Sequence, residues 1–176
     1  MRVMGIDPGL TRTGFGVVEL SGGVLRALDV GTVRAPVGQT PSVQLLNLCL
    51  TLERVMDKYQ PDSVAIERLF FNSNARTAIR VGQASGVALL AAAECGVPVF
   101  EYTPTEVKKA CVGVGNASKD QVQSMVRTIL KLEQTFDSAD AADALALAIC
   151  HAHAHKFREA AGDPLQRGSK RVINKG

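Results

Sequence analysis

Short apolar runs punctuated by turn formers open the chain. RVMGID (2–7), TGFGVVEL (13–20) and VLRALDVGTV (24–33) predict three consecutive β-strands, the last two joined by a tight turn at Ser21 to Gly23. Such an arrangement is an antiparallel meander. A linker holding Pro36, Gly38 and Pro41 leads into a helix over 42–59, where Val43, Leu46, Leu50 and Val55 recur at helical spacing and Pro61 ends it. SVAIE (63–67) is apolar until its last residue, which predicts a strand buried on both faces of a partly parallel sheet. A long helix over 74–95, dense in small residues, stops at Gly96 and gives way to a strand over 97–101. Thr103-Pro104-x-Glu106 and Ser118-x-x-Gln121 both fit a capping box, and each starts a short helix. Last comes an alanine-rich helix from Asp137 to about Phe157. The order implies an α/β fold: a mixed central sheet, a three-strand antiparallel meander plus parallel strands, with helices on both faces.

A chain of 176 residues most economically makes one domain. We expect it over residues 1–158, with 159–176 a basic, disordered tail. The longest apolar run, Val87 to Ala93, is too short to span a bilayer, and no basic-then-apolar secretory signal opens the chain, so a cytoplasmic protein is expected. Cys49, Cys95, Cys111 and Cys150 are widely spread and form no C-x-x-C pair, which argues against a zinc knuckle or a disulfide framework. They read as reduced and structural. Net charge is a mild +3, but KFR at 156–158 and RGSKR at 167–171 concentrate cations near the C-terminus. That suits a polyanionic partner or a solvated tail equally.

Four carboxylates stand out by position. Asp7 ends the first strand and Glu67 the fourth, while Asp140 and Asp143 open the last helix three residues apart, so that they share one face with roughly 5–6 Å between Cβ atoms. Ligand sites of open sheets gather beyond strand ends, so these groups could converge. Singly, each has an ordinary reading: a turn aspartate, a strand-end charge, or complements to a helix dipole. Asp143, however, lies inside an apolar helix, where its charge needs a partner. Converging carboxylates repel unless cations neutralise them, and hard oxygen ligands suit Mg²⁺ or Mn²⁺. Two such ions about 4 Å apart would serve phosphodiester hydrolysis. The stretch GIDPGLTRTG around Asp7 fits that chemistry, and it also fits a glycine-rich turn cradling the phosphates of ATP.

Longer blocks carry a resemblance. GIDPG with TRTGFGVV, AIERLFF (65–71), VGQASGVAL (81–89), PVFEYTPTEVKKACVGVGNASKDQV (98–122) and DAADALALAI (140–149) together resemble the bacterial RuvC Holliday junction resolvases, in the same order up to about Ala154. The resemblance implies a ribonuclease-H-like fold, a homodimer, and a Mg²⁺-dependent endonuclease that nicks opposed strands of four-way junction DNA symmetrically. Mn²⁺ would substitute, with two ions per subunit. It also implies RuvA and RuvB branch-migration proteins as partners. By position, Asp7, Glu67, Asp140 and Asp143 are similar to the family's catalytic, metal-holding set. Phe70 matches an aromatic used against opened bases, for which stacking is worth roughly 1–3 kcal/mol, and Lys108 and Lys119 match basic positions near the site.

Other cations are candidate phosphate contacts: Arg12 in the first turn, Arg76 and Arg80 one helical turn apart, and Lys109 beside Lys108. Gly82 and Gly86, with Ala78 and Ser85, make a smooth stripe on the long helix that fits either its own sheet or a dimer mate. His151, His153 and His155 lack a cysteine or acidic partner at ligand spacing, so solvated or phosphate-contacting roles are expected. An ATP-binding protein of the actin and sugar-kinase type would need a second Asp-x-Gly loop and a second domain, for which the chain has no room. A non-catalytic junction-binding protein would not need the full acidic set.

Overall fold

Successive side chains of a strand point to opposite faces of its sheet, and the first strand, β1 (Arg2–Asp7), uses both. Val3 belongs to one buried cluster, and Met4 and Ile6 belong to the other. The structure is a computed structural model, and it describes residues 1–9, 11–35, 37–68, 75–133, 136 and 138–161, without the side chains of 75, 76 and 156–161. β1 is followed by β2 (Arg12–Ser21), β3 (Val24–Arg34), α1 (Pro41–Tyr59), β4 (Ser63–Glu67), α2 (Ala75–Glu94), β5 (Val99–Tyr102), α3 (Pro104–Val112), α4 (Lys119–Leu130) and α5 (Ala139–Ala161). The sheet order is β3-β2-β1-β4-β5, with β1–β2 and β2–β3 antiparallel and β1–β4 and β4–β5 parallel. This is the expected meander extended by parallel strands. α3, α4 and α5 cover one face, and α1 and α2 cover the other.

Local chemistry explains the element ends. Gly22 and Gly23 take φ of +56° and +80°, the left-handed pair that a two-residue hairpin turn requires. Both capping boxes form: the Glu106 N–H donates to Thr103 Oγ1 at 3.2 Å and the Gln121 N–H to Ser118 Oγ at 3.2 Å, each side chain at the third position returning to the cap N–H. The fifth strand starts at Val99 rather than 97, because the Val97 N–H is taken by the Ala92 carbonyl and Pro98 has no N–H to give. The last helix starts at Ala139, where the Ser138 hydroxyl accepts the Ala141 N–H at 3.2 Å. It runs to Ala161, past the domain boundary expected at 158, and residues 162–176 with Asp137 lie outside the described set. α1 is apolar on two sides. Leu48, Leu52 and Met56 enter the core, whereas Val43, Leu46 and Leu50, part of the stripe legible in the sequence, face outward, Leu46 at 57% exposure.

α5 lies directly on β1 and β2, and three glycines make that possible. Gly5 and Gly16 are cross-strand partners, as are Asp7 and Gly14. A Cβ on Gly5 would overlap the Ala144 carbonyl, one on Gly14 the Asp140 carbonyl, and one on Gly16 would press on the Leu145 side chain at 2.7 Å. On the helix, Ala141, Ala144 and Ala148 are buried and add almost no bulk. Gly82 and Gly86 on α2 differ: nothing stands within 4 Å of a Cβ at either, so their stripe does not serve close packing on the sheet within the described residues, although Ser85 is buried.

Replacing Gly5 by Ala forces α5 off the sheet, because backbone rather than a flexible side chain must yield. The expected loss is ~1–3 kcal/mol or more, read as a fall of several degrees in thermal midpoint. An unchanged midpoint for Gly5→Ala would contradict the close approach.

Candidate active site

Alternation along the two central strands sets two carboxylates side by side. Val3, Gly5 and Asp7 share the α5 face of β1, and Ala65 and Glu67 share that face of β4. β1 and β4 run parallel with Ile6 opposite Ile66, so Asp7 and Glu67 end adjacent strands at the same edge. α5 brings the second pair. Its first turns sit over Gly14, the cross-strand partner of Asp7, and Asp140 and Asp143 project from them.

Cations frame this cluster. Lys119 Nζ donates to Asp143 Oδ2 at 3.0 Å, and Arg12 Nε stands 3.7 Å from Asp140 Oδ2. A lysine as the first residue of a helix opposes the macrodipole, so its position on α4 is set by the carboxylate it meets. One cleft is lined by Asp7, Glu67, Asp143, Lys108 and Lys119, with Val107 and Leu147 among its apolar walls. Asp140 stands beside it on the Arg12 side.

The cluster is electrostatically strained. Burial first, then the charges of Glu67, Asp143 and Asp140, push the Asp7 carboxyl up to about 7, with Lys119 pulling the other way. Burial and the Asp143 charge likewise hold Glu67 above the ordinary carboxylate range. The hydrogen bond to Asp143 and its charge hold the Lys119 ammonium above its usual range. Burial and neighbouring charge oppose ionisation of Asp7 and Glu67, and a set of four hard oxygen ligands suits a divalent cation. Asp7, Glu67, Asp140 and Asp143 are the candidate ligands for one.

The remaining candidates fall elsewhere. Arg80 lies in a groove beyond Arg12, where its Nη2 donates to Gln44 Oε1 at 3.2 Å. Lys109 is exposed on α3 with its stem over Gly115, as expected for a residue about 100° around the helix from Lys108. Phe70 and the Arg76 side chain lie outside the described residues. His151 corrects the expectation of a solvated histidine: it is 2% exposed, its Nδ1 lies 2.7 Å from the Tyr102 hydroxyl, and its ring stacks on Phe100 at 4.5 Å between centroids. It belongs to the core between β5 and α5. His153 is exposed, with Nδ1 3.2 Å from the Ala110 carbonyl. Cys49, Glu53 and Glu94 have ligand atoms within 4.8 Å of one another, a grouping of α1 with the end of α2 on the other face of the sheet that sequence spacing did not reveal. Arg34 is brought opposite Arg12 by strand pairing, a nearness that sequence spacing does not reveal.

Comparison with known proteins gives concordant matches. The family model described as "Crossover junction endodeoxyribonuclease RuvC" matches residues 3–151. A protein of that name from Chloroflexus aggregans is 53% identical over 153 residues, which cover 87% of this chain and 93% of the relative. Its namesake from Pelotomaculum thermopropionicum is 49% identical with the same coverage. Among solved structures, Thermus thermophilus RuvC in complex with a Holliday junction substrate superposes with a TM-score of 0.85 at 38% identity, over 89% of this chain and 96% of that one.

The raised Asp7 carboxyl has a stability consequence. The native state holds this proton up to about pH 7, whereas the unfolded chain releases it near 4, so stability falls as pH rises between the two and the deficit is complete above 7. Without divalent ions, Asp7→Asn is therefore expected to raise the thermal midpoint at pH 8 by several degrees, the deficit being at most about 4 kcal/mol, and to leave it nearly unchanged at pH 4. Equal effects at both pH values in a melting series would refute this account.

Proposed function

This chain belongs to the family of the crossover junction endodeoxyribonuclease RuvC, and from that premise we propose that it binds four-way DNA junctions and nicks two opposed strands symmetrically in recombination and repair. Its fold is the ribonuclease-H-like α/β fold. The observation that carries the reading is the meeting of Asp7, Glu67, Asp140 and Asp143 with Lys108 and Lys119 at one open edge of the sheet. The ATP-binding alternative finds no support, because the nuclease relatives match over 93% of their own length.

In this reading the four carboxylates hold Mg²⁺, or Mn²⁺ in its place, as two ions per subunit. Such ions supply charge neutralisation and orientation for hydrolysis of a phosphodiester. The chain's own groups do the rest. Lys119 gives up part of its bond to Asp143 and, with Lys108, meets the negative charge of the phosphodiester in the cleft. Val107, Val122 and Leu147 wall the cleft on its apolar side, which lowers the local polarity and strengthens each charge interaction. Phe70 stacks on bases opened at the junction centre, and Arg76, Arg80, Arg12 and Lys109 contact backbone phosphates.

A homodimer would present two such clefts to two strands. Its support is the outward apolar surface of α1 and α2, where Val43, Leu46, Leu50, Ile79, Leu89 and Leu90 are exposed and the Gly82–Gly86 stripe is open to close approach. The RuvA and RuvB branch-migration proteins are the proposed partners, and the cytoplasm is the proposed location. No helix among the described residues is long and apolar enough to cross a membrane. The catalytic domain extends through α5, with a basic tail beyond it.

Incubation with Mg²⁺ and a synthetic four-way junction, beside a linear duplex of the same sequence, tests the reading. Paired nicks on the junction alone are expected, at least ~100-fold slower in Asp7→Asn while junction binding persists. Equal cutting of the duplex would sink junction selectivity. A strictly monomeric mass at working concentration would sink the dimer.

A further inference from the structure

β2 and β3 contain a register shift between Val17 and Val18. The strands pair in step from their Gly22–Gly23 turn up to Val18 opposite Ala27, and beyond the bulge each β2 residue faces a partner one position later, so Arg12 stands opposite Arg34. Without the bulge its partner would be Val33, which is instead buried. Two arginines directly across an antiparallel pair repel each other. A third, Arg80 of α2, lines the same groove and is steadied there by Gln44 of α1.

Little compensates this charge. Among the described residues, the one carboxylate within ion-pair distance of the three guanidinium groups is Asp140, 3.7 Å from Arg12, and Asp140 belongs to the acidic centre. α1 begins at the same groove, through Pro41 and Gln44, with no acidic residue in its first turn to offset its positive end. Planar guanidinium groups lining one groove beside a helix N-terminus fit the charge and geometry of a phosphate ester.

We propose that Arg34, with Arg12 and Arg80, forms a second phosphate site that seats a backbone phosphodiester of the cleaved strand next to the scissile one. The proposal rests on the nuclease reading above. Because Arg12 touches both the groove and Asp140, the two sites are contiguous. The DNA strand therefore leaves the acidic cleft past Asp140, crosses the open end of the β2–β3 hairpin and passes the start of α1. The bulge has a function in this account: it moves an arginine, in place of an apolar residue, to the position facing Arg12.

Arg34→Gln and Arg26→Gln change the net charge equally. Arg26 is an exposed residue of the same strand, eight positions and ~27 Å away. Junction binding by each, in an Asp7→Asn background and without divalent ions so that cutting is suppressed, is measured across a range of salt. Arg34→Gln is expected to weaken binding roughly tenfold and to reduce the slope of log K against log salt by ~0.9, the value for one lost phosphate contact. Arg26→Gln should match the parent. Neutral methylphosphonate linkages placed one at a time beside the cut should weaken the parent at one position to which Arg34→Gln is indifferent. The thermal midpoint of Arg34→Gln should not fall, since a like-charge pair is relieved. An unchanged slope, or the same reduction in both variants, would overturn the site while leaving the nuclease reading intact. Failure of the parent to bind junctions at all would overturn both.

Discussion

Everything at the acidic edge of the sheet depends on how closely α5 can lie on β1 and β2. A helix normally stands off a sheet by the bulk of two layers of side chains. Here Gly5, Gly14 and Gly16 remove one layer and the alanines of α5 thin the other, so that strand and helix backbones come into contact. The same contact seats the carbonyl of Asp140 on the residue paired with Asp7. A packing feature thereby becomes a site-building one, because it fixes the backbones that carry the carboxylates.

That constraint explains the charge strain. Asp7 is brought into a half-buried position beside Glu67 by strand pairing and faced with Asp140 and Asp143 by helix packing, which pushes its carboxyl up to about 7. Lys119 and Arg12 offset part of the repulsion, each tied to a different aspartate. A centre built in this way costs the fold stability, because the carboxyls of Asp7 and Glu67 are held above their ordinary range. The structure carries two opposed demands, tight packing at the helix and charge crowding at the strand ends, on the same few residues.

The two faces of the sheet have different tasks. The α5 face, with α3 and α4, holds the carboxylate cluster, and its Tyr102–His151 pair anchors α5 to the strand beside Glu67. The α1–α2 face is packed inside by Leu48, Leu52, Met56 and the alanines of α2, yet it keeps apolar residues on its outer side. Three arginines, Arg12, Arg34 and Arg80, gather where the open end of the β2–β3 hairpin meets α1 and α2, next to the acidic cleft.

Much of this was legible along the chain because its causes are local. Short apolar runs, the Gly22–Gly23 turn, two capping boxes and the stop at Gly96 act over a few residues, and the observed elements follow them closely. Asp7 and Glu67 were legible as strand-end carboxylates, Asp140 and Asp143 as a pair on one helix face, and the longer blocks of residues carried the family resemblance. The misreadings had non-local causes. α1 has apolar residues on two faces, and packing against the sheet rather than spacing selected Leu48, Leu52 and Met56 for the core. The alternating histidines look alike in the sequence, but β5 approaches only where His151 can stack on Phe100 and meet Tyr102. Arg34 acquired its neighbour through a one-residue bulge. The sequence by itself therefore determined the elements and their chemistry, through propensities that operate within a turn or two, while register, facing and the convergence of distant charges were decided by the tertiary structure, because they depend on which backbones can approach one another.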